Sequence, residues 1–193
     1  MLKIIEFPHP TLRHKSKPIK RVDSQLRSVI REMFDLMYAA NGIGLAANQV
    51  NLPLRLFVAN LAGKQDEGEE IVFINPVISR ERGNEEREEG CLSLPGLYGF
   101  VRRSTSIRVN AFTLDGTEID QEVSGMLARM ILHETDHLDG VLFIDRLSET
   151  GEITARDTIE TFKRNFEDQA RRDPDLQPQN IEAHLREWEA RYC

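Results

Sequence analysis

The pentapeptide HETDH, residues 133–137, constrains this chain more than any other feature of its sequence. It ends a stretch, from Val123 to about Leu138, in which apolar residues recur at helical spacing. On a helix, His133 and His137 project from one face about one turn apart, so both imidazoles can bind the same ion. The pattern therefore predicts a metal-binding helix.

Glu134 supports a catalytic interpretation of this helix. It lies about 100° round the helix from His133, near enough to act on a water at the metal without being a ligand. The alternative is a charged helix surface that contains two histidines by chance. Such short patterns do occur, so the rest of the sequence has to supply further evidence.

Two protein ligands hold a metal weakly, so a third is expected. In the extended pattern HExxHxxGxxH, Gly140 fits the glycine, but Phe143 occupies the position of the third histidine. A downstream glutamate such as Glu160 is one alternative. Cys91, in the segment EEGCLSLPG at 88–96, is the more suggestive candidate, because a loop there can present a thiolate. A buried cysteine acting as a small apolar residue is the competing interpretation.

The remaining periodicities predict an α+β fold with antiparallel strands around the metal-binding helix. A helical stripe runs from Asp23 to Ala40, with Asp23 or Ser24 as N-cap. Apolar runs and an Asp-Gly turn at 114–118 predict strands and a hairpin; the runs are 54–59, 71–78 and 106–112. We expect a catalytic domain at 1–150 and a helical C-terminal extension at 151–193, packed on the same domain.

Composition and charge narrow the functional classes. The 193 residues carry a net charge of −7, which argues against a DNA-binding protein, because phosphate binding needs clustered cations. No apolar run approaches the ~18 residues of a membrane span, and the N-terminus lacks the apolar centre of a secretion signal. We therefore expect a cytoplasmic protein without a membrane partner, in which Cys91 and Cys193 are not a disulfide.

A third segment, NGIGLAANQV at 41–50, combines small residues with the amide of Gln49. Its glycines allow a ligand to approach the backbone closely. Gly42, Gly44 and Ala47 also fit GxGxxA, but a dinucleotide fingerprint must follow a strand, and here a long helix precedes it. The remaining alternative is a turn that packs a helix tightly against a sheet.

The segments GIGLAANQ, EGCLS and HETDHLDG, in this order and at these separations, resemble the three motifs of bacterial peptide deformylases. The continuation DHLDGVLFIDRLS, at 136–148, is also similar to that family. The resemblance implies hydrolysis of the N-formyl group from the initiator methionine of nascent polypeptides, with release of formate. It covers residues 151–193 much less well, because family members commonly end with one helix.

The resemblance also implies the roles of individual residues. Cys91, His133 and His137 become the metal ligands, and Glu134 becomes the general base and acid for a metal-bound water that attacks the formyl carbon. The remaining assignments are an oxyanion hole from the Gln49 amide and the Leu92 backbone N–H, and pairing of the Gly44 backbone with the substrate. The family typically uses Fe²⁺, which Ni²⁺ or Co²⁺ can replace, whereas Zn²⁺ serves poorly in many bacterial members.

Helix phase suggests how the substrate is chosen. Met126 and Met130 precede His133 on the same helical face and, with Ile43, could wall an apolar pocket for methionine. Core packing explains these side chains equally well. Arg129 either lines the pocket or binds a carboxylate such as Glu89. We expect the substrate-binding residues to be Ile43, Gly44, Glu89, Met126 and Met130.

Two features depart from the family pattern. Leu132 stands where many members have glutamine. Residues 151–193 carry seven Lys or Arg against ten Asp or Glu, and this negative balance argues against ribosome docking through a basic tail.

Two rival functions stay open. One rival is a metallopeptidase with a downstream glutamate ligand. The other is a binding protein with a closed structural metal site, whose fourth ligand would come from His9, His14 or His184.

Overall fold

The structure is a computed structural model, which describes residues 2–193. The α-helices of this part are α1 (Ser24–Ala39), α2 (Gly125–Leu138), α3 (Glu149–Ala170) and α4 (Pro178–Tyr192). The strands are β1 (Gly44–Ala46), β2 (Leu56–Ala59), β3 (Ile71–Arg82), β4 (Glu85–Cys91), β5 (Leu94–Arg103), β6 (Ser106–Phe112) and β7 (Glu118–Ser124). Short 3-10 helices lie at Pro10–Arg13, Ala47–Val50, Phe143–Arg146 and Pro174–Leu176.

The strands form two antiparallel sheets. One sheet has five strands in the order β1-β2-β3-β6-β7, and the other is the β4–β5 hairpin. The turn at 113–117 connects β6 to β7, as the Asp-Gly signal predicts. The fold is α+β, as expected from the sequence.

Helices cover both faces of the five-stranded sheet. Along β2, successive side chains point to opposite faces, so Leu56 and Val58 meet the core beneath α1, and Phe57 meets the core beneath α2. Asp23 caps α1 by accepting a hydrogen bond from the backbone N–H of Leu26 at 2.9 Å. The metal-binding helix α2 is therefore central, as predicted.

The N-terminal strap, which we define as residues 5–17, connects the three segments that carry the sequence motifs. Its backbone N–H groups donate to carbonyl oxygens in each segment. The bonds run from Ile5 to Gln49 at 2.8 Å, from Phe7 to Ser93 at 2.9 Å, and from Ser16 to Leu138 at 2.8 Å. The strap thus ties together three stretches that are distant in the sequence.

Helix α4 packs against the strap and the core beneath α1. Ile181, Leu185 and Tyr192 are buried, and Tyr192 joins the same core as α1. The carboxylate of Glu189 accepts from Lys17 Nζ at 2.6 Å and contacts His14 Nε2 at 2.8 Å. The predicted helices after residue 150 are present, although α3 already begins at Glu149.

Three expectations about strands were incomplete or wrong. The segment around Cys91 is not an isolated loop, because Cys91 is the last residue of β4 and the β4–β5 hairpin continues to Arg103. Strand β3 extends to Arg82, beyond the predicted end at 78. The small residues Gly44–Ala46 form the edge strand β1 rather than a turn. Among the helices of residues 2–193, none has both the length and the apolar character that a bilayer span requires.

Candidate active site

The three expected metal ligands meet at one point. The end of β4 supplies Cys91, and consecutive turns of α2 supply His133 and His137. Their ligand atoms all lie within 4.8 Å of one another, and Cys91 Sγ lies 3.2 Å from His137 Nε2. Bonds of about 2.0–2.3 Å to a tetrahedral ion put ligand atoms roughly 3.3–3.7 Å apart, so this set fits a cation.

The second ring nitrogen of His133 fits the same arrangement, whereas Nδ1 of His137 is buried without a hydrogen-bond partner. Nδ1 of His133 lies 3.0 Å from Glu89 Oε2, and only a protonated nitrogen can donate to a carboxylate, which leaves Nε2 for a metal. Burial lowers the pKa of His137 well below its usual value, so this imidazole is neutral, as a ligand must be. The two cysteines are free thiols, as expected.

The proton on His133 has to leave before this imidazole can bind a cation. Burial by itself lowers the pKa of His133, but hydrogen bonds to Cys91 and Glu89 outweigh burial and raise that pKa to about 10. A cation bound by this imidazole would therefore displace a proton from it.

Glu134 lies beside the ligands without belonging to them. Its side chain is buried, and Oε2 has no hydrogen-bond partner in the protein. Burial raises the pKa of Glu134 to about 7. A Cβ at Gly44 would lie 2.6 Å from Glu134 Oε1, so glycine is needed for β1 to pass this closely. The unpaired oxygen is available to a small polar molecule at the ligand cluster.

Gln49 reaches the same cluster from the 3-10 helix Ala47–Val50. Its Nε2 lies 3.4 Å from Cys91 Sγ and donates to Ser93 Oγ at 3.2 Å, while its Oε1 accepts from the Ala46 backbone N–H at 2.9 Å. The bond from Ala46 fixes the orientation of the amide, because only the amide oxygen can accept a hydrogen bond from that N–H. The amide nitrogen therefore faces the thiol. Gln49 therefore presents a donor to the site.

Glu89 holds the expected ligand His133 in place through a buried ion-pair network. Its carboxylate accepts from Arg103 Nε at 2.6 Å, from Arg129 Nη1 at 2.6 Å and from His133. Both roles left open for Arg129 are observed, because it bonds to Glu89 and also lines the cavity beside Cys91 and His133. Arg103 also donates to Asp136 at 2.7 Å, which connects the hairpin to α2 a second time.

A cavity of about 680 Å³ opens beside the ligands. It is lined by Cys91, His133 and Glu134 together with the expected substrate-binding residues Ile43, Gly44, Glu89, Met126 and Met130. Gln49 and Leu92 also line it. Met130 is buried, whereas Met126 is half exposed at the rim. Of the site residues expected from the sequence, all except the buried His137 thus line one cavity.

Several residues at this site were missed by the sequence analysis. Arg103 is one, although it occupies an inward position of the alternating strand β5, where a charged side chain indicates a buried ion pair. Asn48 is another: its Nδ2 donates to the backbone carbonyl of His137. No sequence signal marks Asn48, because its partner is a main-chain atom. Glu160, the alternative third ligand, lies exposed on α3 and pairs with Lys163.

Comparison with known proteins decides the family. A family model described as polypeptide deformylase matches residues 1–152. The chain belongs to the peptide deformylase family. It is 50% identical over 191 residues to a peptide deformylase of Rhodopirellula baltica, an alignment that covers 99% of this chain and 95% of the relative.

Solved structures of peptide deformylases share the fold. Peptide deformylase 1B of Arabidopsis thaliana, in complex with an inhibitor, has a TM-score of 0.84 and 40% identity, with 87% of this chain and 93% of that chain covered. A peptide deformylase from Legionella pneumophila has a TM-score of 0.78 and 40% identity, with 90% and 99% covered. The chain is therefore a metal-dependent hydrolase that removes formyl groups from nascent peptides.

Proposed function

We propose that this chain carries out deformylation at a single metal ion bound by Cys91, His133 and His137. The observation that carries the proposal is the convergence of one sulfur and two ring nitrogens within 4.8 Å, beside the unpaired Glu134 oxygen. A bound divalent cation supplies Lewis-acid activation of the water that acts as nucleophile. The remaining steps fall to residues of the chain itself.

Glu134 takes and returns the proton in this proposal. Its raised pKa, about 7, lets the carboxylate accept a proton from the attacking water and then give it to the departing amine near neutral pH. Gln49 Nε2 and the backbone N–H of Leu92 donate to the oxygen of the formyl group as negative charge develops on it. One such donor contributes about 2.7–4 kcal/mol in a comparable hydrolase site.

The cavity supports recognition of an N-terminal methionine. Ile43, Met126 and Met130 supply an apolar wall, and flexible thioether side chains adapt well to an unbranched apolar guest. Strand β1 lies at the edge of its sheet, so the Gly44 backbone can pair with an extended peptide. Glu89, by contrast, uses its carboxylate for three protein contacts, so any part in substrate binding falls to its backbone.

The ligand set and the family resemblance support Fe²⁺ as the native ion, with Ni²⁺, Co²⁺ or Zn²⁺ as replacements. Imidazole binds all four ions, and a thiolate, as a soft ligand, favours the softer metal ions among them. Residues 151–193 form, in this proposal, an extension packed on a catalytic part at 1–150. Because that extension carries net negative charge, docking to the ribosome through it is not part of the proposal.

Replacement of Cys91 by alanine tests the metal site. We expect Cys91→Ala, purified anaerobically, to retain less than a tenth of the metal of the parent protein, because two imidazoles alone bind weakly. Cys193→Ala is the matched control, since Cys193 is also a free thiol but lies at the end of α4. Normal metal content in Cys91→Ala would favour the rival metallopeptidase-type ligand set.

Formate release tests the reaction and its specificity. The protein is given a formyl-methionyl peptide, its acetyl counterpart and the same formyl peptide with alanine in place of methionine. We expect formate from the first, almost none from the third, and no acetate from the second. An acetyl group carries a methyl where a formyl group has a hydrogen atom, and that methyl needs space beside Gly44. Equal hydrolysis of formyl and acetyl peptides would therefore contradict the proposed site.

A further inference from the structure

The 3-10 helix that carries Gln49 ends at a residue in an unusual backbone conformation. Asn51 caps this helix in the left-handed region, with a φ of 63°. Asparagine is one of the few residues other than glycine that adopt this region, and contacts with the surrounding structure help to hold it there. The contacts of Asn51 therefore bear on the position of the helix that precedes it.

Two contacts from opposite ends of the chain hold Asn51. Thr11 Oγ1, in the N-terminal strap, donates to Asn51 Oδ1 at 2.6 Å. His184 Nε2, on α4, lies 2.9 Å from the Asn51 carbonyl oxygen. A carbonyl oxygen can only accept, so the imidazole donates. Of the two contacts, the one from His184 fixes the peptide plane that closes the 3-10 helix.

This 3-10 helix has two adjacent side chains in the active site. Asn48 donates to the carbonyl of the ligand His137, and Gln49 presents its Nε2 toward Cys91. Both lie within three residues of Asn51. A rotation of the Asn51 peptide would therefore move the Gln49 amide relative to the metal ligands, where a shift of about 1 Å can cost a large factor in rate.

We propose that His184 is a positioning residue for the reaction, acting through Asn51 on the donor Nε2 of Gln49. The inference rests on the proposed role of Gln49 as an oxyanion donor. It gives α4 a part in catalysis that its packing does not require. The helix is anchored by the buried side chains of Ile181, Leu185 and Tyr192, so its docking does not depend on the imidazole.

Substitutions on α4 separate positioning from packing. In His184→Ala we expect kcat to fall roughly tenfold, less than the roughly 10²–10³-fold expected for loss of a whole donor, while KM for a formyl-methionyl peptide stays unchanged. His184→Gln retains a donor and should recover most of kcat. Trp188→Phe is the matched control, because Trp188 lies one turn away and contacts His184 and Tyr192, whereas the side chains bonded to Asn51 are those of Thr11 and His184.

Amide hydrogen exchange gives a readout that does not depend on turnover. The N–H of Asn51 donates to the Asn48 carbonyl at 3.2 Å, and the N–H of Leu52 donates to the Ala47 carbonyl at 3.0 Å. In His184→Ala we expect faster exchange at Asn51 and Leu52, with no such change in Trp188→Phe. Unchanged exchange at both amides would overturn the inference.

A double-mutant cycle separates this inference from the proposed function. If His184 acts through Gln49, then His184→Ala should lower kcat no further in a Gln49→Ala background. If Gln49→Ala alone leaves kcat unchanged, the oxyanion role of Gln49 fails, and the positioning inference fails with it. If Gln49→Ala lowers kcat while His184→Ala does not, or if the two losses multiply, only the positioning inference is wrong.

Discussion

At the scale of single residues, Glu134 combines burial with one oxygen that has no hydrogen-bond partner in the protein. We expect Glu134→Gln to lower kcat by about 10²–10⁴-fold, because the amide keeps the size of the side chain and cannot transfer a proton. Metal content, measured on the same preparation, should match that of the parent protein. A variant that loses its metal would show instead that Glu134 supports the ligands.

Gly44 is constrained by the same carboxylate. A Cβ added there would lie 2.6 Å from Glu134 Oε1, so Gly44→Ala should displace the carboxylate and lower kcat at least tenfold with little change in metal content. In Gly42→Ala, the added Cβ would lie 2.8 Å from Leu92 Cδ1, the end of a side chain that can move. Equal losses of kcat in the two variants would contradict this explanation.

The site residues differ in how much of their role the sequence reveals. The spacing of His133 and His137 predicts a shared ion, because helix geometry is local and fixed. On its local sequence Cys91 is only a candidate third ligand, and the resemblance to a family supplies the assignment, because Cys91 lies 42 positions before His133. The bond from Asn48 to a backbone carbonyl leaves no trace in the sequence, since every residue has that carbonyl.

At the scale of elements, the end of α2 depends on close contact with the strap. Gly140 follows the helix with a φ of 75°, and a Cβ there would lie 2.6 Å from the Arg13 carbonyl oxygen. We expect Gly140→Ala to lower the free energy of unfolding by more than about 1 kcal/mol, because it adds a backbone clash to the conformational cost of positive φ.

Gly116 provides the matched control for that prediction. It also has positive φ, at 87°, but a Cβ there meets no atom within 4 Å. Gly116→Ala should therefore carry only the conformational cost. The measurement is urea-induced unfolding of both variants, and the difference between them isolates the contact with Arg13. A Gly116→Ala variant as unstable as Gly140→Ala would mean that the contact contributes nothing.

Elements with strong apolar periodicity were predictable, and the others were not. Helix α1 and strand β6 match the sequence expectation within a residue, because each buries one regular face. Strand β4 was missed because EEREEGC is rich in glutamate, which is uncommon in strands, and its pairing with β5 is a long-range property. Strand β1 was missed because three small residues carry little signal.

At the scale of the whole molecule, the Glu89 network joins the β4–β5 hairpin to α2. We expect Glu89→Gln to lower the free energy of unfolding by about 3–5 kcal/mol, because Arg129 would remain buried without a charged partner and Arg103 would keep only Asp136. Metal retention should also fall, since His133 loses its acceptor. Chemical denaturation and metal analysis of the same protein measure both effects.

Glu85→Gln is the control on the same strand. Glu85 pairs with Arg87 at 2.9 Å, but both side chains are largely exposed, so the pair contributes only about 0–1 kcal/mol. Similar destabilisation in Glu85→Gln and Glu89→Gln would contradict a special role for the buried network.

The arrangement of the whole chain was only partly predictable. The α+β class and the central metal-binding helix are confirmed, whereas the division at residue 150 stays a prediction. The strap could not be anticipated, because its bonds to Gln49, Ser93 and Leu138 are between backbone atoms and carry no side-chain signature. A segment that is positioned by backbone hydrogen bonds to distant parts of the chain can be placed only once those parts are themselves folded.

The contact between α4 and the strap has a consequence for biosynthesis. Lys17 and Glu189 are 172 positions apart, and the Lys20 N–H donates to the carbonyl of Tyr192. As the chain leaves the ribosome, α1 and the sheet can assemble early, but Lys17 and Lys20 acquire these partners only after residue 192 has emerged. The last contacts of this N-terminal stretch thus depend on Glu189, which is translated 172 positions after Lys17.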